Sequence, residues 1–393
     1  MRIGIDATCW WNKRGFGRFT RQLLTAMFDQ TSVHEFVLFI DRDPEPEMLR
    51  SNVRIARVHT RRSVTESAVA EGARSLADLM TFRRCVASEP LDVMYFPAVY
   101  SWYPTGGRAP VVITFHDAIA EHFPGLVFPR LQHRLLWNAK VWLAKQTAAS
   151  ITTVSCAARS ELSRYLHIPS HRIQVILEAA DSHFRPVTEV SRRAAMRERL
   201  GLDQTARLVV YVGGMAPHKN LLRLVEAFRL AIAHAPAQDL SLVFAGDPLG
   251  DGFHSNFEEI RARVQSDPLL ASKVVFTGFV SDEDLVALYS DALMVAMPSL
   301  SEGFGLPAAE AIACGAPVIA SRGGAVEEVV EAAGAYFDPL DIDDIAATIT
   351  RLAMDPDRLQ ALRAACALRA RELSWAKAGA AMLDVLEACG ARR

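Results

Sequence analysis

Short apolar runs alternate along the chain with stretches of helical periodicity, and this alternation constrains the fold more than any other feature. Ten runs read as strand candidates: RIGIDA, EFVLFI, LDVMYF, APVVITFHD and SITTVS, then ARLVVYVGG, DLSLVFAG, KVVFTG, ALMVAMP and APVIAS. Helical patterns such as RFTRQLLTAMF, residues 131–147 and LLRLVEAFRLAIAHA lie between them. Because strands that alternate with helices pair in parallel beneath those helices, the sequence predicts an α/β fold with two parallel sheets.

The length of the chain favours two domains. At 393 residues it exceeds what one hydrophobic core usually serves. Strand and helix periodicity both fail between Asp181 and Arg192, where Pro186 interrupts the chain. We therefore predict two α/β units in tandem, with their linker in this stretch.

Composition narrows the classes of function. Half of the residues are hydrophobic and the formal net charge is −2, which argues against disorder and against general nucleic-acid binding. Residues 1–186 contain 23 Lys and Arg against 17 Asp and Glu, whereas residues 187–393 contain 20 against 28. A basic first half suits an acidic partner such as a lipid-linked phosphate, although so small a surplus also fits ordinary solvated surfaces.

The cysteines and the N-terminus bear on the compartment. Six cysteines are scattered without a CxxC pair, which is typical of a reduced, cytosolic protein. The sequence MRIGIDAT runs directly into a strand-like segment, so we expect no signal peptide. We also expect no membrane span, because no run of about 18 apolar residues occurs. The predicted localisation is cytoplasmic, and peripheral binding to the inner face of the cell membrane is compatible with it.

The segment SLSEGFGLPAAEAIACGAPVIAS contains the strongest candidate site. It places Glu302 and Glu310 eight positions apart across a glycine-containing turn that leads into a helix, and Gly315 ends that helix. A helix that opens from a glycine turn offers unpaired N–H groups and a positive dipole end, which suit a phosphate. The two carboxylates can accept hydrogen bonds from sugar and ribose hydroxyls. A glycine turn with acidic residues near a helix start is the structural alternative.

Two further loops follow strand candidates. Gly213 and Gly214 end one strand, and the loop PHKN after them brings Lys219 to a place where it can pair with a diphosphate, unless the Lys-Asn pair only caps the next helix. The run APVVIT ends in His116 and Asp117, which puts polar groups at the carboxyl edge of a sheet. A structural hydrogen bond is an equally good explanation for that histidine.

The loop after the first strand carries Gly15, Gly17 and Arg18 in the sequence GFGR. It resembles half of a dinucleotide-binding fingerprint, but Arg21 follows where a close-packing small residue is needed, so we expect no NAD site. The first half also interleaves arginines with aromatic residues. These are Arg18, Arg61, Arg62, Arg83 and Arg84 among Phe16, Phe82, Trp102, Tyr103, Trp137 and Trp142.

Taken in order, these segments resemble the retaining GT-B glycosyltransferases of family 4, also called glycosyl transferase group 1, and mannosyltransferases among them. The matching segments are GFGR, FHD, VSCAARSEL, VILEAADSHFRP, VGGMAPHKN and EGFGLPAAE. The resemblance implies two Rossmann-like doubly wound domains that face each other across a cleft. It places acceptor binding in residues 1–183, sugar-nucleotide binding in 184–372, and a helix that crosses back to the N-terminal domain in 373–393.

The resemblance also implies residue roles. Glu302 would contact the donor sugar, Lys219 the diphosphate, and His116 would line the reacting face; these three are the expected catalytic residues. The expected donor-binding residues are Gly15, Gly17, Gly213, Gly214, His218, Gly278, Phe279, Val280, Gly303, Phe304, Gly305, Leu306 and Glu310. Within that set Glu310 would hold the ribose and the backbone of Gly278–Val280 the base. Arg18 and Asp117 would face the acceptor.

One departure concerns the diphosphate. Many relatives have arginine where this chain has Gly214, so the cation that usually accompanies the lysine is missing. We expect His218 or Arg18 to replace it. No metal is expected, because the DxD sequences at Asp41, Asp341 and Asp355 lie in contexts typical of caps and turns.

The expected function is retaining transfer of a hexose from a nucleotide sugar, GDP-mannose by preference, to a lipid-linked or polysaccharide acceptor in cell-surface glycan synthesis. No cofactor beyond the nucleotide sugar and no nucleic-acid partner is expected. A UDP-sugar donor is the alternative. A sugar-nucleotide epimerase and a non-catalytic sugar-nucleotide binding module also remain open, while a glycoside hydrolase is disfavoured because both carboxylates lie on one segment.

Overall fold

The computed structural model describes residues 1–12, 15–31, 33–59, 76–128, 130–247 and 255–391. Arg61 and Arg62, two of the arginines that the sequence interleaves with aromatic residues, lie outside these ranges. The chain divides into two compact units: unit 1 comprises Met1–Glu178 with Trp375–Arg393, and unit 2 comprises Ala179–Ser374. The sequence placed these boundaries after residues 183 and 372.

Unit 1 contains a seven-stranded sheet in the order β3-β2-β1-β4-β5-β6-β7. Its strands are β1 Arg2–Asp6, β2 Glu35–Ile40, β3 Val53–Arg57, β4 Val93–Phe96, β5 Val111–Thr114, β6 Ala148–Thr153 and β7 Ile173–Val175. Every pair is parallel; for example, Ile5 of β1 lies opposite Leu38 of β2 and Tyr95 of β4. The strand order reverses at β1 and β4, which is the doubly wound arrangement.

Unit 2 contains a six-stranded parallel sheet in the order β10-β9-β8-β11-β12-β13. Its strands are β8 Arg207–Val212, β9 Leu240–Ala245, β10 Val274–Gly278, β11 Met294–Met297, β12 Val318–Ser321 and β13 Gly334–Phe337. The order reverses between the neighbouring strands β8 and β11. The α/β prediction with two parallel sheets is therefore confirmed.

Helices connect these strands. They are α1 Gly15–Gln30, α2 Leu76–Ala87, α3 Ile119–His122, α4 Pro124–Val127, α5 Leu131–Thr147, α6 Cys156–Leu166, α7 Val190–Arg199, α8 Leu221–His234, α9 Phe257–Gln265, α10 Pro268–Lys273, α11 Asp282–Asp291, α12 Leu306–Ala313, α13 Ala325–Val330, α14 Ile342–Met354, α15 Pro356–Glu372 and α16 Trp375–Gly390. Helix α7 begins within the predicted linker, so only residues 181–189 of that stretch are irregular.

The last helix, α16, belongs to unit 1. A Cβ on Gly379 would lie 3.1 Å from Ala26, so the glycine lets α16 approach α1 closely. Gln30 donates a hydrogen bond from Nε2 to the carbonyl of Ala376 at 2.7 Å. The Phe19 and Trp375 rings lie 6.0 Å apart in an edge-to-face arrangement. The chain therefore returns to its first unit after completing the second.

Two of the three DxD sequences act as helix caps, as predicted. One carboxylate oxygen of Asp341 accepts hydrogen bonds from the backbone N–H groups of Asp343 and Asp344 at the start of α14. Asp355 accepts from the N–H of Arg358 at 2.9 Å at the start of α15. Each aspartate satisfies N–H groups that a helix start leaves unpaired.

Candidate active site

The candidate donor site lies in unit 2, where the carboxyl ends of β8 and β11 meet. Parallel sheets bind ligands at the edge where strand order reverses, because the loops there diverge to opposite sides. The loop after β8 carries Gly213 to Lys219, and the loop after β11 carries Ser299 to Gly305. The topology therefore brings together two segments about 80 residues apart that the sequence had singled out separately.

Glycines let the backbone approach closely at this edge. Gly213 has φ +141° and Gly246, at the end of β9, has φ +150°. A Cβ on Gly246 would lie 2.3 Å from the carbonyl oxygen of Gly213, so the loop after β9 has no room for a side chain at that contact. Tyr211 donates from its hydroxyl to the Gly214 carbonyl at 2.5 Å. The loop after β8 is thus held against the sheet edge.

Asn220 fixes the far end of the same loop. It starts α8 with a left-handed φ of 60°, but its side chain makes no capping bond to that helix. Its Nδ2 instead donates to the carbonyls of Pro298 at 3.1 Å and Pro339 at 2.7 Å. The capping interpretation of the Lys-Asn pair is therefore wrong for Asn220: its side chain joins the loops after β8, β11 and β13.

Lys219 and Glu302 form a direct ion pair at this edge. The Lys219 Nζ lies 2.7 Å from Glu302 Oε1, and the Ser299 hydroxyl donates to the same oxygen at 2.7 Å. Only 21% of the Lys219 side chain and 13% of that of Glu302 are exposed. Burial by itself raises the pKa of Glu302, but Lys219, with smaller contributions from His218 and Ser299, brings that pKa below its ordinary value. The carboxylate is therefore ionised at neutral pH.

His218 is buried beside this pair. Burial, with a smaller effect of Lys219 and against the attraction of Glu302, lowers the pKa of His218 to about 4. Its backbone carbonyl accepts a hydrogen bond from the N–H of Leu300 at 2.8 Å. This pKa makes His218 neutral at pH 7 in the chain without ligand, which disfavours it as the replacement for the missing cation.

Helix α12 begins directly after the glycine turn. Gly305 has φ +95°, and a Cβ there would lie 2.8 Å from Val326 Cγ2, so the turn requires glycine. Phe304 is buried beneath it, with 3% of its surface exposed. Leu306 then opens the helix with Pro307 in its first turn. Because α12 follows β11, its N-terminus lies at the carboxyl edge of the sheet, the edge that also carries Lys219.

The remaining predicted donor residues differ in exposure. Glu310, on α12, is only 2% exposed, and Tyr289 donates to its Oε2 at 3.2 Å. Gly278 has a left-handed φ of 69° at the end of β10. Phe279 beside it is 79% exposed, whereas Val280 is buried. The segment Gly278–Val280 thus presents backbone and one aromatic ring at the same edge of the sheet as Lys219.

In unit 1, His116 lies in a buried pair that the sequence did not identify. Its Nε2 lies 2.9 Å from the Pro97 carbonyl and donates to it, because a carbonyl only accepts, so Nε2 carries a proton. Its Nδ1 faces Glu178 Oε1 at 3.6 Å. Burial raises the pKa of Glu178, against the opposing effect of His116. Glu178 occurs in the family segment VILEAADSHFRP, and that segment was the signal available for it.

The other predicted residues of unit 1 have structural contacts of their own. A Cβ on Gly17 would lie 2.0 Å from the Asn12 carbonyl oxygen, so this glycine allows the loop to pass its own helix, and Gly15 starts that helix. Arg21 donates to the carbonyls of Trp10 and Asn12. Asp117 accepts from the N–H of Ile119 at 3.0 Å. Arg18 is half-buried on α1.

Two absences concern only the described residues. Within them no group of three or more His, Cys, Asp or Glu side chains is arranged to hold a metal ion. No helix in the same ranges combines the length and apolar character needed to cross a bilayer.

Comparison with known proteins identifies the family. The model described as "Glycosyl transferases group 1" matches residues 192–372, which contain the Lys219–Glu302 pair. The model described as "Glycosyltransferase Family 4" matches residues 14–183. The chain belongs to the group 1 glycosyl transferases. Its two doubly wound units have the GT-B fold.

Similar curated proteins include two mannosyltransferases of Escherichia coli. The chain is 29% identical over 233 residues to serotype-specific mannosyltransferase WbdA; these residues make up 59% of this chain but 28% of WbdA. It is 30% identical over 264 residues to O-antigen chain mannosyltransferase B, over 67% of this chain and 66% of that protein. The chain thus spans less than a third of WbdA.

A similar solved structure shows the fold alone. The structure of Anabaena HepE in complex with UDP and glucose superposes with a TM-score of 0.75 at 18% identity, over 99% of this chain and 100% of that chain. At this identity the likeness extends to architecture and not to substrate.

Proposed function

We propose that this glycosyltransferase moves mannose from GDP-mannose, with retention of configuration, to a lipid-linked or polysaccharide acceptor in cell-surface glycan synthesis. The two E. coli relatives are mannosyltransferases, which supports mannose as the sugar, and the O-antigen relative supports a surface glycan as the product. No metal is required in this proposal, because protein cations and helix dipoles take the charge of the leaving diphosphate.

The single observation that carries the proposal is the Lys219–Glu302 pair at the strand-order reversal of unit 2. Lys219 supplies an ammonium with three donors, of which Glu302 uses one. A diphosphate that enters this site meets the other two. Glu302 then accepts hydrogen bonds from the donor sugar, and its low pKa keeps it ionised for that purpose.

The N-terminus of α12 completes the phosphate site in this proposal. Backbone N–H groups of Gly303–Leu306 and the helix dipole stabilise the charge that develops on the diphosphate as the sugar leaves. Glu310 holds the ribose, and the backbone of Gly278–Val280 holds the base. Because Gly214 has no side chain and His218 is neutral, Lys219 is the residue through which the loop after β8 offers positive charge to the diphosphate.

Unit 1 supplies the acceptor side. His116 lines the reacting face, and Glu178 acts as a positioning residue that keeps the imidazole in one orientation. Arg18 and Asp117 contact the acceptor. Retention requires no general base that activates water, so we assign none of these residues that role.

Calorimetric titration with GDP and with UDP tests the donor. We expect GDP to bind more tightly, and transfer from GDP-mannose to give a product whose anomeric configuration, read by NMR, equals that of the donor. Tighter binding of UDP would replace this proposal with a UDP-sugar donor. An inverted product would refute the retaining mechanism.

A further inference from the structure

Aromatic rings gather at the carboxyl edge of the unit 1 sheet, where its strand order reverses. Phe16 is the second residue of α1, which follows β1, Tyr100 lies in a short 3-10 helix after β4, and His116 follows β5. These three strands are neighbours in the order β1-β4-β5. Because doubly wound sheets bind ligands in the crevice at such a reversal, side chains on these three segments are candidates for contact with a ligand.

Phe16, Tyr100 and Trp137 form a column of stacked rings. The centroids of Phe16 and Tyr100 lie 5.4 Å apart with their planes inclined by 26°, and those of Tyr100 and Trp137 lie 5.2 Å apart at 29°. Trp137, on α5, is buried, whereas Phe16 and Tyr100 are half-buried. The column therefore runs from a buried base to a partly accessible ring at Phe16.

Hydrogen bonds fix the base of this column. Trp137 donates from Nε1 to Glu121 at 2.7 Å, and the Lys140 Nζ donates to the Tyr100 carbonyl at 2.7 Å. The same Nζ lies 6.0 Å from the centroid of the Trp137 ring. The rings are consequently held in place before any ligand arrives, and a preorganised surface loses little conformational entropy when it binds.

The Phe16 ring lies beside the predicted reacting face. Its centroid is 6.4 Å from that of the His116 imidazole, and the two planes are inclined by 47°. Phe19 packs edge-on against the same imidazole at 4.7 Å and 88°. Over the described ranges Tyr100 is the one ring stacked on Phe16, so one face of Phe16 has no aromatic partner. That face adjoins a polar group and not another apolar ring.

An aromatic face next to polar side chains matches the chemistry of a sugar ring. One face of a pyranose carries C–H groups with partial positive charge, which pack on the negative face of an aromatic ring, while the hydroxyls around its edge need hydrogen-bond partners. His116 and its neighbour in the chain, Asp117, offer such partners. An acyl chain has no use for them, so the arrangement favours a saccharide over a lipid tail.

We propose that Phe16, braced by Tyr100 and Trp137, is a stacking subsite for the terminal pyranose of the acceptor. The inference rests on the proposed function and deepens it, because it adds Phe16 as a residue that selects a sugar ring on the acceptor. It concerns unit 1 and needs no donor. Its test can therefore fail while GDP-mannose remains the donor, and it can succeed if the donor proves to be a UDP-sugar.

Saturation-transfer NMR on the whole chain tests the proposal. The probes are the methyl α-glycosides of mannose, glucose, galactose and N-acetylglucosamine, and the aromatic protons of the protein are irradiated. We expect at least one glycoside to receive saturation, and to receive it more strongly at the C–H protons of one ring face than at those of the opposite face. Stacking on an aromatic ring produces this asymmetry because only one face lies against it.

A matched set of variants assigns the signal to one ring. Phe16→Leu keeps the apolar character but removes the ring, so it should raise the Kd of that glycoside at least about fivefold, whereas Phe16→Trp should keep it within about twofold. The control is Phe257→Leu, which changes another half-buried phenylalanine in the first turn of a helix, packed 5.5 Å from Phe276 in unit 2. The control should bind the glycoside as the original chain does. Unchanged GDP affinity shows that each variant is folded.

Four results would overturn the proposal. The first two are no saturation of any of the four glycosides by the original chain, and equal saturation of both ring faces. The third is a signal that Phe16→Leu leaves intact and Glu302→Gln removes, which would place the sugar at the donor site of unit 2. The fourth is saturation of farnesyl phosphate alone, lost in Phe16→Leu, which would assign the ring to a lipid chain.

Discussion

Replacing Glu302 with Gln perturbs the donor site at its best-defined contact. The amide keeps the size of the side chain and an oxygen that can accept from Lys219 and Ser299, at the positions that lie 2.7 Å from Oε1. What changes is the charge, which the low pKa of Glu302 maintains at neutral pH. The substitution therefore tests electrostatics with little change in shape.

The expected magnitude follows from the strength of charged hydrogen bonds. A bond to a charged group contributes roughly 1.5–3 kcal/mol and a neutral bond roughly 0.5–1.5 kcal/mol, so each sugar hydroxyl that Glu302 holds in the transition state loses about 1–1.5 kcal/mol. Two such bonds amount to about 2.7 kcal/mol, which lowers kcat/KM for transfer about 100-fold. GDP should bind equally well or up to about tenfold more tightly, because Lys219 is no longer neutralised by its partner.

The substitution should also change stability in a pH-dependent way. The folded pKa of Glu302 is depressed, so its pairing stabilises the fold above the ordinary glutamate pKa and is lost as pH falls through the folded pKa. At pH 7 we expect the variant to lose about 1–2 kcal/mol of unfolding free energy, because Lys219 keeps partial access to water. This difference should vanish at acid pH.

Transfer kinetics, GDP calorimetry and thermal unfolding measure the three effects. The control is Glu226→Gln, which removes a carboxylate of unit 2 that pairs with Arg263 on the surface and should leave transfer unchanged. Wild-type transfer by the Glu302 variant would refute the assignment of its carboxylate to the donor sugar. Parallel losses of transfer and of GDP affinity would show instead that the loop had been displaced.

Three other substitutions probe the same edge. Lys219→Ala should weaken GDP binding at least about tenfold while guanosine binding hardly changes; calorimetry measures both, and equal losses would contradict the assignment of Lys219 to the diphosphate. Transfer by the original chain should persist in EDTA, which a transfer assay checks. His218→Gln should flatten the loss of unfolding free energy between pH 6.5 and about pH 4, since the folded pKa of His218 is depressed to about 4 from 6.5. The original chain loses stability as pH falls through that window, on the order of 3 kcal/mol, and urea unfolding at several pH values would show an unchanged slope if His218 were charged when folded. Gly305 has φ +95°, and a Cβ there would lie 2.8 Å from Val326 Cγ2, whereas Gly323 has φ +80° with open space around it. Gly305→Ala should therefore lower the free energy of unfolding by more than Gly323→Ala does. Similar losses in thermal unfolding would mean that backbone strain alone matters at Gly305.

The strands that the sequence failed to predict share one position in the sheets. β3, β7 and β13 are all edge strands. A strand inside a parallel sheet is buried on both faces and reads as a continuous apolar run, as EFVLFI does, whereas an edge strand is shorter or more polar. VRIAR of β3 carries two arginines, and IQV of β7 has three residues. Apolar periodicity therefore missed three edge strands, whereas the edge strand β10 was predicted from KVVFTG.

The sequence predicted both loops of the candidate donor site but not the contact between Lys219 and Glu302 that joins them. Spacing and residue type placed Lys219 and Glu302 after strands, and only the strand order brings them to neighbouring strand ends. The neutral state of His218 depends on its burial, which no local pattern reveals. Glu178 was missed for the same reason, because its partner His116 lies 62 positions away in the sequence.

Gly214 supplies no side-chain cation, so the proposed mechanism gives the Lys219–Glu302 ion pair a larger role than it would have beside a second cation. Tyr211 holds the Gly214 carbonyl at 2.5 Å, so the backbone there is fixed against the sheet. In the proposed mechanism His218 is neutral, and Lys219 and the N-terminus of α12 stabilise the diphosphate. Glu302 lies 2.7 Å from the Lys219 Nζ. In the proposed mechanism the carboxylate that binds the sugar therefore also positions the cation that binds the leaving group, and for this reason we expect Glu302→Gln to separate catalysis from nucleotide affinity.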